Sequence, residues 1–191
     1  MIEKIVTWLV ERKVIDNAES DIYTYGLECL LLKCLHYISY FIIAIILHLP
    51  LELIVIGIVF TAIRSNSGGL HMNSRLGCYI FSCVYVFCIL IFYSNIKEPH
   101  IYVCFLIMSN IILLFLSPIE HHNRPLDEDE KKKFKKKTVM YAGVVQVVVL
   151  IMYLNNQYNL SYLGIIGLFA ASLLVFCGKI QYYIKNKFFP I

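Results

Sequence analysis

Charge is what this sequence has least of. Asp, Glu, Lys and Arg make up 16% of its 191 residues, where a soluble domain carries about 25%. Apolar residues reach 59%, above the roughly 45–50% of soluble domains. That balance excludes a water-exposed globular fold, and no nucleic-acid partner is expected. The chain also lacks a hydrophilic stretch long enough for a separate domain; its longest runs only from Ile119 to Thr138. It therefore reads as one membrane domain, residues 1–191. The N-terminus lacks the pattern of a cleavable signal peptide, because charges interrupt its first apolar run and no small-residue cleavage site follows. CxxC pairs are missing too. The seven cysteines, Cys29, Cys34, Cys78, Cys83, Cys88, Cys104 and Cys177, are odd in number and lie mostly in apolar runs. There a cysteine behaves as a small hydrophobe, so six of them read as packing residues and no disulfide framework is expected.

What is present is a series of apolar runs. Leu30–Leu49, Leu51–Ile63, Cys78–Tyr93, Ile101–Ser117, Val139–Leu154 and Tyr162–Gly178 are candidate spans. Several fall short of the roughly 20 residues that a perpendicular span needs. The fold class is thus an all-α polytopic membrane protein with about six transmembrane helices. Ahead of them, residues 1–15 put Ile2, Ile5, Trp8 and Leu9 on one helical face. That pattern fits a helix lying in the membrane interface, and equally a helix packed on the domain. Residues 16–21 form a polar link. Pro50 suits the first turn of a helix, so the first two spans read as a tight hairpin broken at His48-Leu49-Pro50. Lys33 is placed to snorkel, while His36 and His48 read as interior or interfacial side chains.

The scarce charges are unevenly distributed. With six spans and the N-terminus inside, sixteen of the seventeen Lys and Arg fall on the inner face and only Lys97 falls outside. The positive-inside rule then gives a multi-pass protein with both termini cytoplasmic. The hydrophilic segment (118–138) becomes a cytosolic basic loop. Its acids precede its lysines by four, as in Asp127/Lys131 and Glu128/Lys132, which supports a helix.

Between the second and third spans lies a polar island, residues 64–78. It holds Arg64, the pair Gly68-Gly69, His71 and Cys78. Irregular polar chain near the bilayer needs a reason, because lipid cannot satisfy loose backbone groups. In an unbroken helix His71 and Cys78 would share a face but stand about 10.5 Å apart along the axis. Joint action requires a break, which Gly68-Gly69 and Gly77 allow and which Asn73 or Ser74 can cap. Cys78 would then sit just beyond the first turn of a helix. A helix N-terminus and a nearby imidazolium both favour the nucleophilic thiolate, and His71 is the general base that could exchange the proton. The plainer alternative is a buried packing cysteine beside an unrelated histidine. Arg64 is either the snorkelling end of the second span or an anion-binding group for a peptide carboxylate. No metal is expected: His71 and Cys78 lack a usual ligand spacing, and adjacent His121-His122 cannot easily turn both rings to one ion. No other cofactor is called for.

These residues resemble the accessory gene regulator B (AgrB) family, membrane endopeptidases of Gram-positive quorum sensing. Arg64, Gly68-Gly69, His71 and Cys78 match its pattern of arginine, glycine pair, histidine and cysteine. Ser117-Pro118-Ile119-Glu120 and Asn123-Arg124-Pro125-Leu126, followed by lysines, resemble the family's cytosolic loop. The resemblance implies a cysteine endopeptidase of the bacterial cell membrane. Its catalytic residues would be His71 and Cys78, with Arg64, Gly68 and Gly69 supporting or binding substrate. It would cleave the C-terminal tail from a short AgrD-like propeptide at the lipid bilayer, through an acyl-enzyme thioester, and form a thiolactone autoinducing peptide. It leaves room for a homo-oligomer. The competing class is a non-enzymatic polytopic protein, such as a small permease component or assembly partner, for which loss of Cys78 would be harmless. A third class is an unrelated cysteine acyltransferase, distinguished by a lipid rather than a peptide donor.

Overall fold

The structure is a computed structural model. It describes the chain from Ile2 to Phe188 except His71, Asn73, Lys97 and residues 121–125, with side chains described as far as Lys185. The elements are helices α1 (Ile2–Glu11), α2 (Ser20–Ile46), α3 (Pro50–Ser67), α4 (Arg75–Asn95), α5 (Pro99–Leu116), α6 (Glu128–Leu154) and α7 (Tyr158–Phe188). Among the described residues, six helices are long and apolar enough to cross a membrane. All-α architecture with an additional N-terminal helix matches the sequence reading.

Helix ends depart from the apolar runs, for a physical reason. Hydropathy marks where lipid would be, whereas caps decide where a helix stops. α2 begins at Ser20, ten residues before the apolar run, so most of the expected polar link 16–21 is a short 3-10 turn at Asn17–Glu19 leading straight into it. α1 ends at Glu11, short of the expected residue 15. Lys13 takes a left-handed φ of 55°, while Val14 N–H donates to the Leu9 carbonyl at 3.0 Å. That pair is a Schellman closure. His48 (φ 59°) closes α2 in the same way, with Leu49 N–H on the Ala44 carbonyl, and Pro50 then opens α3. The hairpin is as expected; His48's part in ending the helix was not.

α7 is the axis of the bundle. α3, α5 and α6 all pack on it, while α2 packs mainly on α4. Side chains of α7 from Leu163 to Val175 are largely buried, whereas Phe41, Ile42, Ile45 and Ile46 on α2 point outward. Outward apolar faces suit lipid. Without a hydrophobic drive between helices in lipid, close approach comes from small residues. α7 supplies Gly164, Gly167, Ala170, Ala171 and Ser172. A Cβ on Gly167 would lie 2.8 Å from Val59 Cβ of α3, so that helix crosses at near contact. Polar pairs add to the packing: Gln146 Nε2 donates to Asn110 Oδ1 at 2.6 Å between α6 and α5. Tyr102 and Tyr162 stack at 4.1 Å, and Phe105 and Phe169 at 4.3 Å, joining α5 to α7.

α3 has 18 residues, a rise of about 27 Å, slightly under a hydrocarbon core of about 30 Å. It delivers Arg64 and the glycine pair to one end of the bundle. The basic segment does not form a helix of its own. It is the first part of α6, which runs unbroken from Glu128 to Leu154. Lys131 there bonds both Glu120 and Glu128 at 2.9 Å, tying the start of α6 to the beginning of the α5–α6 connection.

Candidate functional site

Cys78 is the fourth residue of α4. Ser74 caps that helix: its hydroxyl accepts from Gly77 N–H at 3.0 Å, and its carbonyl accepts from Cys78 N–H at 3.0 Å. A short polar residue in extended conformation (φ −114°, ψ 145°) is the standard solution for an N-cap. Of the two caps that the sequence allowed, Ser74 takes the place; Asn73 lies outside the described residues. Cys78 is half-buried, between the solvent and lipid exposure of Cys34, Cys88, Cys104 and Cys177 and full burial. Its carbonyl accepts from Ser82 Oγ at 2.8 Å, and Arg75 in the preceding turn pairs with Glu28 of α2 at 2.9 Å.

The glycine pair ends α3. Gly68 takes φ 68° and Gly69 φ 139°, conformations that glycine alone adopts cheaply. Both backbone edges of this turn are bound. Ile119 N–H donates to the Ser67 carbonyl at 2.9 Å, and Leu70 N–H donates to the Leu174 carbonyl of α7 at 2.9 Å. Space is lacking as well: a Cβ on Gly68 would lie 2.3 Å from the Ile119 oxygen, and one on Gly69 would lie 2.8 Å from the Leu174 oxygen.

Arg64 turns inward to this clasp. Its Nη2 donates to the Leu70 carbonyl at 2.9 Å. The guanidinium also lies within electrostatic reach of Cys78, as does the Tyr40 hydroxyl of α2. Arg64, Gly68, Gly69 and Cys78 are therefore brought to one end of the bundle. His71, the fifth of the expected site residues, lies outside the described residues, as do His121 and His122. Among the described residues, no three His, Cys, Asp or Glu side chains gather as a metal site.

A cavity of about 1190 Å³ opens one turn along α4 from Cys78. Ser82 and Tyr85 of α4, Tyr40 and Lys33 of α2, and Ser65 of α3 line it, and its remaining wall is mainly aliphatic and aromatic. Tyr85 closes its α7 side by donating to the Ala170 carbonyl at 2.5 Å. Sequence reasoning missed Tyr40, Ser82 and Leu174, since none belongs to a motif, and it placed Ile119 in the loop motif without linking it to the glycine turn. Gly178 carried a signal, a glycine inside an apolar helix, but nothing to say what approached it.

The fold and site define a class: a multi-pass helical membrane protein with a capped cysteine at the start of a spanning helix, beside a clasped glycine turn. Within that class, the chain belongs to the Accessory gene regulator B (AgrB) family, whose profile matches residues 2–177. The Accessory gene regulator protein B of Staphylococcus carnosus (strain TM300) is 26% identical over 181 residues, 92% of this chain and 94% of that protein. An AgrB-like protein of Clostridium perfringens (strain SM101 / Type A) is 25% identical over 155 residues, covering 77% of this chain and 72% of the relative. A second, from C. perfringens (strain 13 / Type A), is 25% identical over 158 residues, 76% and 74% of the two chains. No solved structure matches the chain. Membership gives the protein a quorum-sensing role in the accessory gene regulator system.

Proposed function

We propose that the protein is a cysteine endopeptidase that trims and cyclises a short AgrD-like propeptide at the membrane. The observation that carries this reading is Cys78 itself: half-buried, four residues into a capped helix, and in electrostatic reach of the Arg64 guanidinium.

In this scheme His71 takes the Cys78 proton and the sulfur attacks one peptide carbonyl. The carbon–nitrogen bond breaks, His71 returns the proton to the departing amine, and the C-terminal tail leaves. The remaining peptide is held as a thioester on Cys78. A cysteine of the peptide then loses its proton and attacks that thioester, making the thiolactone and freeing Cys78. Thioester is exchanged for thioester, so the second step needs little driving force but must be kept from water. The mainly apolar cavity beside Cys78 suits that need. The lysines that follow the acidic first turn of α6, Lys132, Lys133, Lys135 and Lys136, would attract an acidic leaving tail.

The charge distribution supports the orientation that this scheme needs, with both termini and the Cys78 end cytoplasmic. We read the whole chain as one membrane domain. The test is to co-express a propeptide whose own cysteine is replaced by alanine. Cyclisation then fails, and a covalent peptide adduct should accumulate on Cys78, identified by mass spectrometry and released by hydroxylamine. Tail removal without any adduct on Cys78 would overturn the scheme.

A further inference from the structure

The reaction scheme uses the polar island between α3 and α4, yet that island is seated on α7. Leu70 N–H bonds the Leu174 carbonyl at 2.9 Å. Four residues on, one helical turn, α7 carries Gly178, and the island's backbone lies directly against it. A Cβ at 178 would stand 2.5 Å from the carbonyl carbon of Gly69, 2.7 Å from Leu70 N and 2.8 Å from Gly69 Cα. All three are backbone atoms, so no side chain can swing aside. From the opposite edge, Arg64 Nη2 holds the Leu70 carbonyl at 2.9 Å. The peptide units on both sides of Leu70 are thus fixed, one by α7 and one by α3.

We propose that Gly178 is a positioning residue: its missing side chain lets the Gly69-Leu70 backbone seat on α7, and that seat holds the backbone to which the reacting residue, His71, is joined. The inference rests on the reading of His71 and Cys78 as the reacting pair. Gly178 lies just beyond the residues matched by the family profile, far along the chain from the island, and touches it through backbone alone. Alanine at 178 raises helix propensity in α7, so α7 keeps its helix while the seat is lost. A shift of about 1 Å at a reacting group is enough to cost about 100-fold in rate.

The experiment uses the full chain in membranes with the six cysteines other than Cys78 replaced by alanine. His71→Cys is added as a ruler, and the rate of oxidative cross-linking to Cys78 is measured with and without Gly178→Ala. Gly143→Ala, where a Cβ meets nothing within 4 Å, is the control. Gly178→Ala should slow cross-linking about tenfold or more, while Gly143→Ala leaves it unchanged. Without the ruler, Gly178→Ala should lower kcat for propeptide cleavage about 100-fold with KM nearly unchanged. Gly69→Ala crowds the island against α7 at the Leu174 carbonyl, one turn before Gly178, and serves if Gly178→Ala fails to accumulate; it should slow cross-linking likewise. Cross-linking at the parental rate in the folded variant overturns the inference, whatever cleavage does. Normal cleavage by His71→Gln instead overturns the reaction scheme, so the two failures are distinguishable.

Discussion

Arg64 and Leu70 are held together across the end of α3: the arginine's Nη2 donates to the leucine's carbonyl oxygen at 2.9 Å. This bond turns a potentially snorkelling cation inward, so Arg64 organises the glycine turn as well as placing positive charge near Cys78. A lysine carries the charge but not the planar, multi-donor head that can serve both tasks. Arg64→Lys should therefore lose cleavage while remaining in the membrane. Its melting in detergent should fall by the equivalent of about 1.5–3 kcal/mol, as expected for a lost hydrogen bond to a charged group. Cleavage by Arg64→Lys at the wild-type rate would show that the arginine's planar head is not needed for the reaction.

Cys78 is set apart from the other six cysteines by its cap, Ser74, and by the nearby guanidinium. Cys78→Ala should abolish propeptide cleavage. Alanine at Cys29, Cys34, Cys83, Cys88, Cys104 or Cys177 should leave it within about threefold, since four of these face outward and the other two are only partly buried. Cleavage of co-expressed propeptide, followed by immunoblotting, gives the answer. Activity in Cys78→Ala would leave the capped cysteine without a role.

Much of this arrangement was legible in the sequence, at the level of elements. Long apolar runs with few charges gave six helices, and Pro50 after His48-Leu49 gave the hairpin. Ser74 was legible as a cap because a short hydroxyl side chain stood just before a helical run. Gly68-Gly69 announced a break in the helix. What stayed hidden was tertiary. The glycine pair showed that the chain could turn, but not that Ile119 would bind one edge of that turn and Leu174 the other. Backbone-to-backbone bonds leave no mark on residue identity, so Leu174 reads as one more apolar residue of α7. The extent of α2 was hidden differently, since residues 20–29 are helical without being uniformly apolar.

The orientation also yields a test. Asn123 lies in the α5–α6 connection, whereas Asn156 closes α6 with a φ of 60°, at the far end of that helix. One apolar segment separates them, so single cysteines placed at each should be labelled from opposite sides by an impermeant maleimide. The cysteine at 123 should react only after the cytoplasmic face is opened, because most Lys and Arg lie on its side. Labelling of 123 from outside intact cells would reverse the orientation, and with it the access of a cytosolic peptide to Cys78.

His71 distinguishes catalysis from packing most sharply. Leu70, immediately before it, has both its N–H and its carbonyl tied to neighbouring helices. The described chain is thus held in place up to the residue before His71. His71→Gln keeps size and hydrogen bonding but cannot exchange a proton near neutral pH. If His71 is the base, this variant should accumulate normally, melt normally and lose cleavage by about 100-fold or more. Alkylation of Cys78 by a small permeant reagent should slow as well, because the imidazole no longer takes the thiol proton. That loss should be smaller than the loss of turnover, because protonation of the departing amine has no substitute. A packing role for His71 predicts the opposite pattern, with glutamine tolerated and any lost activity tracking lost protein. Normal cleavage by a well-folded His71→Gln would remove the imidazole from the mechanism and leave the proton of Cys78 to another group.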